Sequence, residues 1–449
     1  YDASGRLTVR TWARGVSTDY SYDGLGLLTA IDYSDDTPDV SFTYDRLGRQ
    51  KTVTDVLGTR TNIYDAASLK EERMPDGTTL ARSYDTFGRP SGISLGDDYA
   101  VGYGYDDYGR LSTVWPSNSG GRVDYTYMPG SDLLGGWGVS NGPSSAYSYE
   151  ANRDVRTNVS NLFDSTLMSA FAYSYDPAGC RTQRVDSGAV TNTFGYNVRS
   201  ELAAALMGTN QFAYAYDPIG NRVQASFNEE INTYWANGLN QYTNIDEGEI
   251  ALAYDDDGNI ATNGPWRLSW DAENRLVSVG PRVIGGIQDR YYYDYMGRRV
   301  KKYTFEWTYP NTGKVNGKIE YLYNGWNCIK HNFHGQDSIV TNMYIWGLDL
   351  SGSLQGAGGV GGLLTRYVPV SNALDYVFCD ANGNVTELVN TNGDVDAHYE
   401  YDPYGDITAL SGNQANANPF RFSTKYWDEE TGFYYCGYRF YSPTLGRWV

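Results

Sequence analysis

Apolar and aromatic residues recur at every second position in short stretches along the whole chain. Phe171, Tyr173 and Tyr175 alternate with Ala172 and Ser174, and Phe212, Tyr214 and Tyr216 alternate with Ala213 and Ala215. Tyr99, Val101, Tyr103 and Tyr105 do the same. A period of two puts these side chains on one face of a β-strand. The stretches run into a phrase, Tyr-Asp-x-x-Gly, that occurs ten times, beginning at Tyr1, Tyr22, Tyr44, Tyr84, Tyr105, Tyr175, Tyr216, Tyr254, Tyr293 and Tyr401. Asp can accept hydrogen bonds from backbone N–H groups two residues on, and Gly supplies the positive φ that closes a short hairpin loop. The phrase therefore predicts turns at Asp2 and Gly5, Asp45 and Gly48, Asp85 and Gly88, Asp106 and Gly109, Asp176 and Gly179, Asp217 and Gly220, Asp294 and Gly297, and Asp402 and Gly405. A second strand follows, often opening with Arg and an apolar residue, as in Arg6-Leu7, Arg110-Leu111 and Arg275-Leu276.

The first spacings are 21 and 22 residues, enough for one hairpin with strands of about five to six residues each. Degenerate copies at Tyr64-Asp65, Tyr125 and Trp270-Asp271 fill gaps in the rhythm. A fixed period of this length predicts an array in which each unit packs mainly on its neighbours. A helical reading fails: the best fragment, Glu201 to Met207, ends at Gly208, and 51 Gly with 15 Pro break most other candidates, so the chain reads as almost wholly β. The expected fold is all-β, hairpins joined into one long antiparallel sheet. Residues 1–300 read as the regular array and 301–374 as a less regular continuation containing Trp307, Trp326, Trp346 and a Gly-rich loop. Residues 375–449 read as a distinct aromatic C-terminal segment, with no charged or Pro/Ser-rich linker before it. The chain opens at Tyr1 inside a repeat, which suggests a piece of a longer polypeptide.

Composition narrows the function classes. The net charge of −19 disfavours nucleic acid and anionic membranes as direct partners. No apolar run reaches the roughly eighteen to twenty residues that a bilayer-spanning helix needs. With 42 Tyr against 14 Phe, the rings can cover apolar area while their hydroxyls stay free for water or a partner, which suits a wet-faced sheet or the lining of a hollow body. Cys180, Cys328, Cys379 and Cys436 are widely separated, which argues against a zinc site, and no metal or cofactor is expected.

Several short motifs read better as loops, turns or chance matches than as chemistry. Gly356 to Gly361 spells G-x-G-x-x-G, but Leu363 to Val368 after it is strand-like where a dinucleotide site needs a helix. Gly92 to Gly96 and Gly138 to Gly142 match G-x-S-x-G without a following helix, and the chain has only His331, His334 and His398 as bases. Asp255 to Asn259 lacks the late bidentate Glu of a calcium loop and fits another repeat turn. His331 and His334 are expected to be isolated surface residues. The Tyr and Arg side chains could form a glycan-stacking surface, but Arg packed over Tyr rings is the favoured reading.

The tail carries a more specific signal. Tyr426, Asp428, Glu430, Thr431, Gly432, Tyr434 and Tyr435, continuing through Arg439, Tyr441, Pro443, Gly446, Arg447 and Trp448, resemble the core-associated signature of Rhs/YD-repeat proteins. Trp270 to Leu276, Tyr293 to Arg298 and Trp346 to Gly352 are similar to segments common in that family. The resemblance implies a sheet spiralling into a hollow shell, or part of one, shared with the C component of insecticidal toxin complexes and with teneurins. It implies that the tail seals a shell around a C-terminal toxin domain lying beyond this chain, in a bacterial protein that is secreted, at the cell surface, or exported by delivery machinery. The chain itself is then not an enzyme. Family-type self-cleavage uses an Asp-Pro-x-Gly continuation that would fall beyond Val449. The alternative from the same resemblance is a cell-surface adhesion or glycan-binding protein.

Overall fold

The structure, a computed structural model, describes residues 1–117, 121–246, 250–283, 285–306, 314–335 and 338–449; Trp307 lies outside them. Within the described residues there is no α-helix, and none is long and apolar enough to cross a membrane, which says nothing of β-barrels. Strands from Val9–Thr11 to Ile407–Ser411 pair antiparallel, each with the next in sequence, in one 37-stranded sheet. Glu201–Met207 follows suit, with Leu202–Met207 a strand. A separate four-stranded sheet is formed by Tyr426–Asp428, Phe433–Tyr435, Phe440–Ser442 and Arg447–Trp448.

One repeat shows how the phrase builds a hairpin. Asp45 Oδ1 accepts from Leu47 N at 2.8 Å and Arg49 N at 3.0 Å, while Gly48 N donates to Asp45 O at 3.1 Å. Gly48 takes φ +77°, the left-handed conformation that a bulged hairpin loop requires, and the pairing register shifts between Thr43 and Tyr44. Arg49 folds back onto the Asp45 carboxylate and lays its guanidinium 4.2 Å from the centroid of the next motif ring, Tyr64. The Arg49 side-chain hydrogen bond, more than the backbone donors, holds the Asp45 carboxyl below its ordinary range. Arg89 on Tyr105 and Arg110 on Tyr127 repeat this at 4.1 Å, so the Arg of one unit caps the Tyr of the next.

The tyrosine hydroxyls correct one expectation. Those at the motif position are engaged: Tyr22 donates to Leu7 O, Tyr44 to Leu28 O, Tyr84 to Leu69 O, Tyr105 to Pro90 O and Tyr127 to Leu111 O, all at 2.7–2.9 Å. Each reaches the carbonyl at the start of the strand after the preceding motif turn. At the motif position the preference for Tyr over Phe is thus explained by a repeat-to-repeat hydrogen bond, and does not require a wet face.

The ladder winds back on itself. Residues near the start meet residues some 240–260 positions later: Trp12 Nε1 donates to Ala272 O at 2.6 Å, Arg10 pairs with Glu273 at 2.7 Å, and Asp55 accepts from Tyr295 N at 3.0 Å. Further along, Tyr99 donates to Tyr344 O at 3.0 Å, and Tyr173 accepts from Ala381 N at 3.0 Å. The two runs progress in the same direction, so the sheet forms two successive coils, the second following the first and tucking under it. Early in the chain the loops opposite the Tyr-Asp turns, at Trp12, Thr37 and Asp55, rest on the turns at Asp271 and Asp294 of the second coil, whereas further along Asn161, Ser169 and Tyr173 of two first-coil strands meet residues 379–387.

Candidate functional site

The aromatic tail lies across both coils, and a charged residue in an unusual place positions it. After the motif Arg most repeats carry an apolar residue, as at Leu7, Leu111 and Leu276, but after Arg298 comes Arg299. Arg299 is fully buried, so its guanidinium must find partners within the fold. Its Nη1 bonds the equally buried Asp428 carboxylate. Tyr291, Tyr321, Tyr426, Tyr435 and Phe440 surround it with centroids 4.5–5.7 Å from Cζ. Nε and Nη2 have no hydrogen-bond partner and are left to these ring faces. Burial opposes the charge, but Asp428 and the rings outweigh it and hold the pKa well above the ordinary arginine value. Tyr435 completes the seat by accepting a hydrogen bond from Arg299 N at 2.7 Å.

Lys302, one turn of the pleat away, gathers three carboxylates. Its Nζ stands 3.4 Å from Asp289 and from Asp428, and it also bonds Glu430. Burial pushes Asp289 up to about 6, only partly countered by Lys302. Tail residues therefore complete a buried charge network whose other half belongs to strands Ile287–Tyr293 and Arg299–Glu306.

The far end of the tail grips the first coil. Arg447 bonds Asn221 and donates to Asn240 O at 3.0 Å, with its guanidinium 4.0 Å from the Tyr242 centroid. Arg222, another Arg in the usually apolar position, stacks 4.1 Å from the Tyr404 ring and reaches Thr444 O at 3.5 Å. Gly446 has φ +63°, and any Cβ there would run into the Arg222 guanidinium. Tyr441 donates to Tyr404 O at 2.8 Å, and Tyr434 to Gly405 O at 3.0 Å. Near this joint burial, then Asp402, raises Asp406 to about 7.

The remaining signature residues shape the tail itself. Thr431 accepts from Phe433 N at 3.2 Å, Gly432 turns at φ +67°, and Pro443 O accepts from Gly446 N at 2.9 Å. Arg439 lies 4.1 Å from the half-exposed Trp448 ring. Sequence reasoning singled out these tail residues but missed Arg299, Lys302 and Arg222. The signal for two of them was available, an Arg standing where neighbouring repeats have Leu.

The motifs set aside as chemistry have structural places. Gly92 to Gly96 lies largely within strand Pro90–Leu95. Asp349 accepts from Ala357 N at 2.7 Å and Gly359 N at 3.1 Å, which ties down the Gly-rich loop. Asp257 pairs with Arg14 across the coils. His331 corrects the surface expectation: it is buried beside Asn342 and Tyr344, and burial lowers its pKa to about 3. Its apolar parity on strand Asn327–His334 points it inward. Among the described residues no cluster of three His, Cys, Asp or Glu could hold a metal ion. Burial raises the Cys436 thiol to about 11, which keeps it protonated.

Known proteins share this architecture. Residues 1–38 match the RHS Repeat family description. The chain is 28% identical over 212 residues to the tRNA3(Ser)-specific nuclease WapA of Bacillus spizizenii, covering 47% of this chain and 8% of that protein. Over its whole length it is 24% identical to the Double-stranded DNA deaminase toxin A of Burkholderia cenocepacia, covering 35% of it. The chain thus spans well under half the length of these curated relatives. Among solved structures, TcdB2-TccC3 without its hypervariable C-terminal region superposes with a TM-score of 0.82 at 16% identity, over all of this chain and 26% of that one. That likeness establishes the fold.

Proposed function

We propose that the chain, whose residues 1–38 match the RHS Repeat family model and whose sheet has the fold of the Tc toxin shell, forms wall and seal of a container for a C-terminal toxin domain. The observation that supports this best is the tail's seat. A short sheet is fastened to the second coil through Arg299–Asp428 and to the first through Arg447 and Arg222. A segment held at both coils would fix where any following chain departs and would close the wall around it. Tyr426, Asp428, Glu430, Thr431, Gly432, Tyr434, Tyr435, Arg439, Tyr441, Pro443, Gly446, Arg447 and Trp448 are the sealing residues in this reading. Residues 1–300 and 301–374 supply wall, and 375–449 the closing segment. The enclosed domain, not the wall, carries any enzymatic activity, as the named nuclease and deaminase relatives suggest. Secretion or injection follows as the setting, with delivery machinery as a partner. The glycan-binding alternative is less well supported, because the motif rings are capped by Arg and their hydroxyls bonded to carbonyls.

Limited proteolysis of the natural full-length polypeptide tests the proposal. Sequence following Val449 should resist protease under native conditions and become cleavable when Arg447→Ala and Trp448→Ala loosen the tail. Downstream sequence digested as fast in the unaltered protein as in the variant would exclude a container.

A further inference from the structure

Lys302 and Asp289 are arranged less like a salt bridge than like two groups about to react. They lie diagonally across two neighbouring strands, with Tyr291 opposite Lys302 and Asp289 opposite Thr304, and both are buried. The Lys302 ammonium donates to Asp428 at 3.4 Å and to Glu430, both from the tail. It makes no hydrogen bond to Asp289, although Oδ2 of that carboxyl is 3.4 Å from Nζ. Asp289 Oδ2 is buried without a hydrogen-bond partner, while Oδ1 accepts from the Thr304 hydroxyl at 2.8 Å. A carboxylate kept only as a counter-ion would turn that oxygen to the ammonium, because a buried unpaired oxygen is costly.

The dryness of the site also favours uncharged forms. Burial raises the Asp289 acid and works against the ammonium, which Asp428, Asp289 and Glu430 together still hold protonated. Moving one proton from Lys302 to a neighbouring carboxylate frees the amine, and burial lowers the cost of that transfer. Among the three carboxyls, Asp428 is committed to Arg299, and Glu430 reaches solvent. Asp289 is the one left dry and unengaged at Oδ2.

We propose that Lys302 and Asp289 condense to an isopeptide bond, with Glu430 as proton carrier and Thr304 as the donor that steadies the acyl oxygen. Glu430 takes a proton from the ammonium, and the freed Nζ attacks Cγ of the protonated Asp289 carboxyl. Negative charge develops on Oδ1, where the Thr304 hydroxyl already donates. Glu430 gives its proton to the Oδ2 hydroxyl, which leaves as water, and then takes the excess proton from nitrogen. One C–N bond forms and one C–O bond breaks. Ammonium and acid become amide, water and one proton, which Glu430 passes to solvent, and no oxidant or cofactor is needed. Because Glu430 belongs to the tail, the reacting group is complete only once the tail is seated. The amide is then a covalent record of that seating, and it stands whether or not a toxin is enclosed.

Peptide mass spectrometry of the natural full-length polypeptide, kept folded for days and then denatured and digested with trypsin, tests this. The expected product is a peptide pair in which Lys302 is joined to Asp289, lighter than its two parts by one water. A succinimide at an Asp-Gly pair such as Asp76-Gly77 loses the same water, but within a single peptide. The joined pair should be absent from Lys302→Arg, which keeps the positive charge, and should form about a hundredfold more slowly in Glu430→Gln. Free Lys302 and Asp289 peptides at full yield from the folded, unaltered protein would overturn the proposal. So would a link that maps to Asp428 or Glu430, or one that forms at an unchanged rate in Glu430→Gln.

Discussion

At the scale of single residues, the tail rests on a buried pair whose worth lies in its wholeness. Taking Arg299 and Asp428 out of water is costly, and their mutual attraction repays it only while both are present. Arg299→Met alone strands Asp428 beside Lys302, and Asp428→Leu alone strands a guanidinium among five rings. Each single change is expected to cost about 3–5 kcal/mol, and the double change clearly less than the sum, which urea unfolding of the full cycle would show. Asp406 gives a pH dependence of determined sign. Its folded-state value of about 7 lies above the ordinary carboxylate range, so between these limits the folded chain holds more protons than the unfolded one. Its contribution is full below the unfolded value and is lost as pH rises through about 7. The neighbouring charges are Asp402, which strengthens the shift, and Arg222, which weakens it. The melting temperature of the native chain should therefore fall more between about pH 5 and about pH 8 than that of Asp406→Asn. An equal fall would show that Asp406 is ionised throughout.

At the scale of the hairpin, nearly everything was legible in the sequence, because the determinants are local. Asp, Gly and Arg lie within four residues of the atoms they bond, and the alternation before them fixes the strand face. What was not legible was the use of the Tyr hydroxyl, since its carbonyl acceptor sits 12–19 residues upstream across the hairpin. The glycine requirement can be isolated at Gly88, where φ is +78° and nothing would meet an added Cβ within 4 Å. Any loss there comes from backbone conformation alone. Gly88→Ala should destabilise by about 1–2 kcal/mol, and Gly88→Asn by less, because Asn tolerates the left-handed region. The chain makes the same choice in its degenerate turns, where Asn240 and Asn274 take φ +65° and +55°. Thermal unfolding of the two variants checks the order; equal losses would mean that the turn, not the residue, sets the conformation.

At the scale of the whole molecule, the period announced an array but not how it closes. The bonds between coils join residues more than 200 positions apart, several of them from side chains such as Thr37 and Asp55 that carry no repeat signature. The same local hairpin thus exists in two environments, and amide exchange should separate them. Ala272, Tyr295 and Ala381 donate into the joint, whereas Gly24, Arg46, Thr86 and Asp107 occupy the same turn position on the open edge. Since turn geometry is shared, any difference in protection reports the joint and not the hairpin. In the 449-residue chain the three covered amides should exchange far more slowly than the four open ones. Thr37→Val should release Ala272 while leaving Ala381 protected, because each joint bond is made by a different part of the first coil. If all seven exchanged together, the coils would separate as readily as a turn frays, and a sheet so loosely stacked could not serve as a wall.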